Sequence, residues 1–247
     1  MKPKTLILIP SRMGATRLPG KPLLKLNKLS IISHVVNKAK KTNIGRVVVC
    51  TENKEILQEV EKNGGEAILT SNNHKTGTDR IFEGFKKLNI VNVDYIINLQ
   101  GDEPAINEND IIKLNKLMIK NNSDIGSLAS KIKSTDDLRN KDIVKVALNE
   151  KLSTKNFPIA LDFKRKILTN KTLNFYHHIG IYAYKIKILE KFINLDQTKN
   201  EIDRRLEQLR ALDNNININI GLAKSISIGV DTKQDYLALK KIMEYKS

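Results

Sequence analysis

Residues 9–22 read IPSRMGATRLPGKP and directly follow the apolar run TLILI of residues 5–9. The run predicts a buried strand, and the glycines and prolines after it predict a loop that stays irregular to about residue 30. A loop at the carboxyl end of the first strand of an open α/β sheet lies where such sheets bind ligands. Arg12, Arg17 and Lys21 place cations on this loop, and its glycines let backbone N–H groups approach phosphate oxygens. The stretch therefore predicts an anion site at the sheet edge.

The loop matches neither of two common phosphate-binding motifs. A Walker A loop needs Ser or Thr after its lysine, and here Pro22 follows Lys21. The spacing of Gly14 and Gly20 also differs from Gly-x-Gly-x-x-Gly. The residues alone leave a basic surface turn open as an alternative.

Length and composition favour a globular α/β protein, because the chain has 247 residues and 40% of them are hydrophobic. No apolar run reaches the about 18 residues of a membrane span, and the first strand begins by residue 5. We therefore expect neither a membrane helix nor a signal peptide. Cys50 is the only cysteine and follows three valines, which predicts a buried strand thiol. Together these features predict a cytoplasmic protein.

The formal net charge of +16 suggests a nucleic-acid function at first sight. The excess, however, is mainly lysine spread along the whole chain without a long basic run. The chain has no Trp, and aromatic residues make up only 5%, which argues against a base-stacking platform. We therefore expect anionic small molecules as partners, and neither nucleic acid nor a membrane.

Hydrophobic periodicity predicts strands that alternate with helices as far as residue 130. The expected strands are 5–9, 46–51, 66–69, 93–99 and 125–130, with helices at 30–41, 54–63, 78–88 and after Asn107. This order predicts an α/β fold with a doubly wound, mostly parallel sheet. Further on we expect strands at 143–148 and 176–184, an exposed strand at 216–220, helices at 186–194 and 201–212, and a last helix opened by Thr232 with Asp235. We interpret residues 1–247 as one domain with an inserted subregion at about 145–185.

Asp102 follows a predicted strand, and Asp231 directly precedes the last predicted helix. Asp102 lies in QGDEP of residues 100–104, on the same sheet edge as the first loop, and Asp231 lies in GVDT of residues 229–232. Either carboxylate suits Mg²⁺ bound to a triphosphate. Each also suits a local role, as a turn residue for Asp102 and as a helix N-terminal carboxylate for Asp231. Two such carboxylates would repel each other without a metal, so replacing either by an amide should leave stability unchanged or improved.

The stretch TGTDR of residues 76–80 opens a predicted helix after a polar loop. A helix N-terminus with a glycine and a hydroxyl suits a phosphate or a base edge. An ordinary helix cap formed by Thr78 or Asp79 fits the same residues equally well.

Two stretches later in the chain carry polar side chains. His178 and Tyr182 lie four apart on one strand and so share a face, although a lone histidine on a strand is more often structural. The segment LEQLR of residues 206–210 lies on a predicted helix, where its polar side chains suit either a ligand or a solvated face.

Together these motifs resemble those of the sugar nucleotidyltransferases, and most closely the 3-deoxy-manno-octulosonate (Kdo) cytidylyltransferase family. The resemblance covers nearly the whole chain and rests on RxxxTRLPGKP, TGTDR, QGDEP, HxGIY, LEQLR and GVDT. It implies a Rossmann-like nucleotidyltransferase fold with a small sugar-binding and dimerisation subregion, in a homodimer of the bacterial cytoplasm. The implied reaction joins CTP and Kdo to give CMP-Kdo and pyrophosphate for lipopolysaccharide synthesis.

The resemblance also implies a role for each matched residue. Arg12 and Lys21 would stabilise the charge that develops on pyrophosphate, and Asp102 and Asp231 would hold Mg²⁺ as cofactor, so these four are the catalytic candidates. The implied nucleotide contacts are Pro10, Ser11, Arg12, Lys21, Thr76, Gly77, Thr78, Arg80, Gln100 and Asp102. The implied sugar contacts are Gln100, His178, Tyr182, Glu207, Gln208 and Arg210.

The chain departs from the family pattern at 150–170, where the usual aromatic-Phe-Ser-Arg stretch is replaced by LSTKNFPI of residues 152–159. In the family this segment helps to pair two subunits and borders the sugar site. Three alternatives therefore stay open: a cytidylyltransferase for 8-amino-Kdo or another ulosonic acid, a sugar-phosphate nucleotidyltransferase, and a non-enzymatic nucleic-acid-binding protein.

Overall fold

The structure is a computed structural model that describes residues 4–167, 174–225 and 229–244. Among the described residues, every helix is too short or too polar to cross a lipid bilayer.

The chain forms eleven strands and nine α-helices within the described ranges. The strands are β1 (Thr5–Ser11), β2 (Lys25–Leu26), β3 (Leu29–Ser30), β4 (Val47–Thr51), β5 (Ala67–Leu69), β6 (Tyr95–Asn98), β7 (Ile125–Ser130), β8 (Lys145–Leu148), β9 (Asp162–Lys164), β10 (Asn174–Lys185) and β11 (Ile218–Leu222). The helices are α1 (Ile31–Lys41), α2 (Lys54–Lys62), α3 (Gly77–Leu88), α4 (Glu108–Asn121), α5 (Thr135–Arg139), α6 (Ile186–Ile193), α7 (Lys199–Arg204), α8 (Leu209–Asp213) and α9 (Lys233–Glu244). A single 3₁₀ turn covers Lys21–Leu23.

These elements group into two compact units. The first contains the described residues of Met1–Ile111 and Ser227–Ser247, and the second contains those of Ile112–Ile226. The boundaries expected from the sequence, one domain with a subregion at 145–185, stay a prediction.

The sheet of the first unit is built around β1. All seven residues of β1 are buried, as expected of an apolar strand that is covered on both faces. β1 lies parallel to β4 on one side and to β6 on the other, and β5 extends the sheet parallel to β4. Because these strands are parallel, the loops after β1 and β6 leave the sheet at the same edge. The buried thiol of Cys50 in β4 agrees with its prediction as a strand residue.

Local hydrogen bonds at the helix ends follow the sequence closely. Ser30 caps α1 by accepting the N–H of Ser33. Thr76, two residues before the expected Thr78, caps α3 in a capping box with Asp79. Thr232 and Asp235 form the same pair of hydrogen bonds at the start of α9, as predicted.

The second unit contains most of the antiparallel strand pairs. β7 is parallel to β11 and antiparallel to β10, which continues antiparallel to β8, and β9 adds to β8. The predicted α/β class with a mostly parallel sheet is confirmed.

Three element predictions are wrong. The loop expected to stay irregular to about residue 30 contains the 3₁₀ turn at Lys21–Leu23 and the paired strands β2 and β3. The helix expected at 201–212 is two helices, α7 and α8, because Arg205 takes a left-handed conformation (φ 54°) that ends α7. The strand expected to be exposed at 216–220 begins at Ile218, and both Ile218 and Ile220 are fully buried. The alternating asparagines indicated a solvated face, but parallel pairing with β7 draws the isoleucines into the core.

Candidate active site

A cavity of about 340 Å³ lies at the carboxyl edge of the first unit's sheet. Its wall combines the loop after β1, the start of α3, the turn after β6 and the segment before α9. The lining residues are Pro10, Ser11, Arg12, Gly14, Ala15, Thr16, Arg17, Lys21, Pro22, His74, Lys75, Thr76, Gly77, Arg80, Gln100, Gly101, Asp102 and Asp231.

Two glycines allow these segments to converge on the end of β1. A Cβ atom added to Gly101 would lie 2.8 Å from the carbonyl oxygen of Pro10, closer than non-bonded atoms approach. One added to Gly77 would lie 3.1 Å from Cγ of Pro10. A side chain at Gly101 would therefore separate the ends of β1 and β6, which together form the cavity floor.

Lys21 joins the two acidic residues that the sequence singled out. Its ammonium lies 2.6 Å from Oδ2 of Asp102 and 3.2 Å from Oδ1 of Asp231. These two carboxylate oxygens are therefore at most 5.8 Å apart, the sum of the two distances. Arg17 adds a second ion pair with Asp231 at 3.3 Å. The structure thus brings Lys21, Asp102 and Asp231 into one cluster in the cavity wall.

A backbone contact fixes Asp231 beside Asp102. The N–H of Val230 donates to the carbonyl oxygen of Asp102 at 2.9 Å. Val230 is itself fully buried in a cluster with Leu26, Ile31 and Leu239. Packing of α9 against the β2–β3 hairpin therefore sets the position of Asp231.

The helix-capping alternative for Asp231 is wrong. The side chains of Thr232 and Asp235 satisfy the N-terminus of α9, and the N–H of Asp231 donates to Oδ2 of Asp235 at 3.1 Å. The carboxylate of Asp231 is thus left to the two cations in the cavity wall.

Charge stabilises the ammonium form of Lys21. Burial alone would lower its pKa, but Asp102 and Asp231 outweigh that effect and raise the pKa above its ordinary value. The Lys21 side chain is only 11% exposed, while those of Asp102 and Asp231 are 34% and 56% exposed. Lys21 is therefore a positive charge in the described site at neutral pH.

The donor set of this site suits magnesium bound to a phosphate. Among the described residues there is no cluster of three or more metal-ligating side chains. The site instead supplies two carboxylates, those of Asp102 and Asp231. Mg²⁺ prefers one or two carboxylates and takes its other ligands from phosphate oxygens and water. The two aspartates already bind one cation between them, the Lys21 ammonium, so their geometry fits the ion.

Two further cations in the wall have no partner among the described residues. Arg12 and Lys75 are both exposed, and within the described part of the chain neither makes a hydrogen bond or an ion pair. Ser11 contributes a buried hydroxyl that also has no hydrogen-bond partner among the described residues. These three groups are available to an anionic ligand.

The loop before α3 contains two cavity-lining residues that the sequence did not single out. Lys75 and His74 directly precede the Thr76 cap and line the wall. Glu83 anchors this loop, because its carboxylate accepts the N–H of Ser71 at 2.9 Å and contacts the His74 ring. Proximity of Lys75 to the TGTDR stretch was the one signal that pointed to it.

Arg80 and Thr78, two predicted nucleotide contacts, both bond to other residues of the protein. The Arg80 guanidinium lies in the wall but donates to Thr70 Oγ1 at 2.8 Å and pairs with Glu52. Thr78 is 1% exposed, and its hydroxyl accepts a hydrogen bond from Asn98 at 3.4 Å. Thr78 therefore packs in the core and contributes no side chain to the described cavity wall.

The predicted sugar contacts divide between the two units. Gln100 lines the cavity of the first unit, and the others belong to the second. His178 and Tyr182 share one face of β10, with ring centroids 5.4 Å apart. Two further aromatic rings extend this contact. The ring of Phe163 lies 5.0 Å from that of His178, and the ring of Tyr184 lies 6.0 Å from that of Tyr182, both measured between ring centroids.

His178 is a neutral side chain. Its Nε2 lies 2.9 Å from the hydroxyl of Ser127, which itself donates to a β10 carbonyl. Burial, with a smaller effect of His177, lowers the pKa of His178 to about 3. His178 can therefore offer a neutral imidazole and no charge at physiological pH.

The LEQLR segment is only partly available to a ligand. Arg210 is 3% exposed and forms two hydrogen bonds to the carboxylate of Glu201, at 2.8 and 2.6 Å. Its guanidinium also lies 4.7 Å from the ring centre of Phe192. Arg210 therefore has a structural role, while Glu207 and Gln208 lie just before α8.

Comparison with known proteins shows the family of this chain. The sequence model of the family described as Cytidylyltransferase matches residues 6–220. A 3-deoxy-manno-octulosonate cytidylyltransferase of Thermodesulfovibrio yellowstonii is 43% identical, and the match covers 97% of this chain and 98% of the relative. One from Nitrobacter hamburgensis is 40% identical, covering 98% and 93%. This chain belongs to the 3-deoxy-manno-octulosonate cytidylyltransferase family.

Solved structures give the same result. The structure of CMP:2-keto-3-deoxy-manno-octonic acid synthetase complexed with CTP is 33% identical, with a TM-score of 0.87, and the match covers 99% of this chain and all of that one. A nucleotidyl transferase from Methanothermobacter is 13% identical with a TM-score of 0.64, which shows a shared fold alone. The predicted family, nucleotidyltransferase fold and enzyme class are confirmed.

Proposed function

We propose that this protein transfers a cytidylyl group from CTP to Kdo, giving CMP-Kdo and pyrophosphate for lipopolysaccharide synthesis. The observation that carries the proposal is the cavity in which Lys21, Asp102 and Asp231 meet, beside two cations, Arg12 and Lys75, that have no partner within the described ranges. Such a combination suits a triphosphate with a divalent ion, since the carboxylates hold the metal and the cations hold the phosphates.

The triphosphate would bind along the loop after β1. Arg12 and Lys75 lack partners among the described residues and would pair with phosphate oxygens. The hydroxyl of Ser11 would donate to the nucleotide, because a buried polar group without a partner is costly. The N-terminus of α3 at Gly77 would add its backbone N–H groups.

The chemical step needs no protein nucleophile. The anomeric hydroxyl of the sugar would attack the α-phosphorus in line, forming the new O–P bond while the bond to the β-phosphate oxygen breaks and pyrophosphate leaves. The proton of the hydroxyl would pass to solvent. Asp102 and Asp231 would hold Mg²⁺, which when bound neutralises phosphate oxygens and favours ionisation of a nearby hydroxyl. Arg12 and Lys21 would stabilise the charge on the departing pyrophosphate.

The sugar contacts that we propose within the second unit are His178, Tyr182, Glu207 and Gln208. Gln100 is the proposed ligand contact in the cavity of the first unit. Neutral hydrogen-bonding groups suit sugar hydroxyls, and the low pKa of His178 keeps its imidazole in that form. The proposal is made for Kdo in particular because the relatives named above are Kdo enzymes.

We also propose a cytoplasmic homodimer that binds no nucleic acid. The apolar side chains of Ile159 and Leu161 are 46% and 43% exposed, in the segment expected to pair subunits. A second copy would cover them. Sedimentation at micromolar concentration gives the mass, and a monomer there would contradict the dimer.

The test measures pyrophosphate release in Mg²⁺ for CTP, UTP, ATP and GTP, each with Kdo, 8-amino-Kdo and a sugar phosphate. We expect turnover only with CTP and highest kcat/KM with Kdo. Preference for a sugar phosphate, or equal use of all four triphosphates, would refute the proposal. Tight sequence-dependent DNA or RNA binding at about 0.15 M salt would support the nucleic-acid alternative instead.

A matched pair of arginine variants tests the site within that assay. Arg12→Ala should lower kcat/KM by about 10²-fold or more, because a charge that meets the transferred phosphates is lost. Arg139→Ala removes another exposed arginine, at the end of α5 in the second unit, and should change little. Equal activity of the two variants would exclude Arg12 from the reaction.

A further inference from the structure

Lys21 has two incompatible tasks in the proposed reaction. Its ammonium lies between the carboxylates of Asp102 and Asp231, at 2.6 and 3.2 Å, yet the reaction requires it beside the phosphates. A divalent ion bound to the same two carboxylates would need the space that Nζ fills, and an ammonium left there would repel it. The metal and the ammonium therefore exclude each other at this position.

We propose that Lys21 is a displaceable internal cation that suppresses metal binding until the nucleotide arrives. In the free protein the ammonium offsets part of the repulsion between Asp102 and Asp231 and keeps them together. When a triphosphate carries its divalent ion into the cavity, the phosphates give the ammonium a new partner and the ion takes the carboxylates. This inference rests on the proposed function and adds to it a coupling between the metal and the nucleotide.

The backbone around Lys21 is fixed, so the exchange needs only side-chain rotation. The N–H of Lys21 donates to the carbonyl oxygen of Leu18 at 3.2 Å, and its own carbonyl accepts from Leu24 at 3.2 Å. Pro22 further stiffens the 3₁₀ turn. The four-carbon stem of lysine then swings the charged atom without moving the loop.

The coupling follows from linkage. If the nucleotide removes the competing ammonium, it raises the affinity for the metal, and the metal must raise the affinity for the nucleotide by the same factor. The free enzyme would thereby avoid holding a metal ion in the absence of substrate. Arg17 lacks this effect, because of the two aspartates it pairs with Asp231 alone, at 3.3 Å, and its side chain is 58% exposed.

The experiment measures Mn²⁺ binding without nucleotide, by the electron paramagnetic resonance signal of free Mn²⁺. The variants are Lys21→Met, Lys21→Gln, Arg17→Met and Lys21→Met with Asp102→Asn, and circular dichroism checks that each is folded. We expect weak binding by the wild type and at least roughly tenfold tighter binding by both Lys21 variants, since a buried charge beside the ion is removed. Arg17→Met should change the affinity by less than about threefold because its charge is exposed, and the double variant should lose the gain.

Two results would overturn the inference. One is a Lys21 variant, Met or Gln, that is folded and binds Mn²⁺ no more tightly than the wild type. The other is a wild type whose affinity for Mn²⁺ is the same with and without CTP. Neither result depends on turnover, so failure of the Kdo reaction in the pyrophosphate assay would refute the proposed function separately.

Discussion

Replacing Asp102 by Asn should destabilise the protein, contrary to the expectation from the sequence. Two adjacent carboxylates alone would gain from the loss of one charge. The structure instead places the Lys21 ammonium between them, with the side chain of Lys21 only 11% exposed and 2.6 Å from Asp102. The change therefore removes the nearer counter-charge of a buried cation.

The magnitude follows from the exposure of the pair. Breaking a fully buried ion pair costs about 3–5 kcal/mol, and an exposed pair contributes about 0–1 kcal/mol. The side chain of Asp102 is 34% exposed, and the amide oxygen of an asparagine can still accept a hydrogen bond from Lys21. We therefore expect Asp102→Asn to lower the free energy of unfolding by about 1–2 kcal/mol. Asp231 is 56% exposed at 3.2 Å, so the loss for Asp231→Asn should be below about 0.5 kcal/mol.

Urea unfolding at pH 7 with EDTA measures both losses, and the same change made in a Lys21→Met background completes a double-mutant cycle. Asp102→Asn should cost much less in that background, because no ammonium is left without its partner. Both single variants should still lose catalysis by orders of magnitude, since each removes a proposed metal ligand. An Asp102→Asn protein as stable as the wild type, or more stable, would refute this account of the cluster.

Two further predictions concern a buried imidazole and the cavity floor. Burial holds the pKa of His178 at about 3, so below pH 6.5 the unfolded chain binds a proton that the folded chain does not, and stability falls as the pH drops towards 3. When the pH is lowered from 7 to 5, the free energy of unfolding of the wild type should fall by about 1–2 kcal/mol more than that of His178→Gln. Urea unfolding measures both decreases, and equal decreases would contradict the buried neutral state. Gly101→Ala should cost about 1–3 kcal/mol and lower kcat/KM, because its Cβ would meet the Pro10 oxygen at 2.8 Å. Gly14→Ala is the control, with nothing among the described residues within 4 Å of the added atom, and equal effects of the two changes would exclude the close approach as the cause.

Much of the fold was predictable because its determinants are local. The apolar run of β1, the Ser30 cap and the Thr232–Asp235 pair each lie within a few residues of sequence, and the structure contains all three. The break at Arg205 was not predictable, because nothing in the helical pattern around it signals a left-handed residue.

The site shows the same division. The sequence by itself determined which residue types stand at the strand ends, and through them the family, the nucleotide chemistry and the candidates Lys21, Asp102 and Asp231. Only the tertiary structure decided that Lys21 lies between the two aspartates, which are 81 and 210 positions away from it. The tertiary structure also decided the partner of Arg210. Its guanidinium donates to Glu201 across the break between α7 and α8, so it does not have the ligand-binding role that its motif suggested. The physical reason is that charge pairing depends on distance in space, and long-range packing, here of Val230 and Leu239 against Leu26 and Ile31, sets that distance independently of any local pattern.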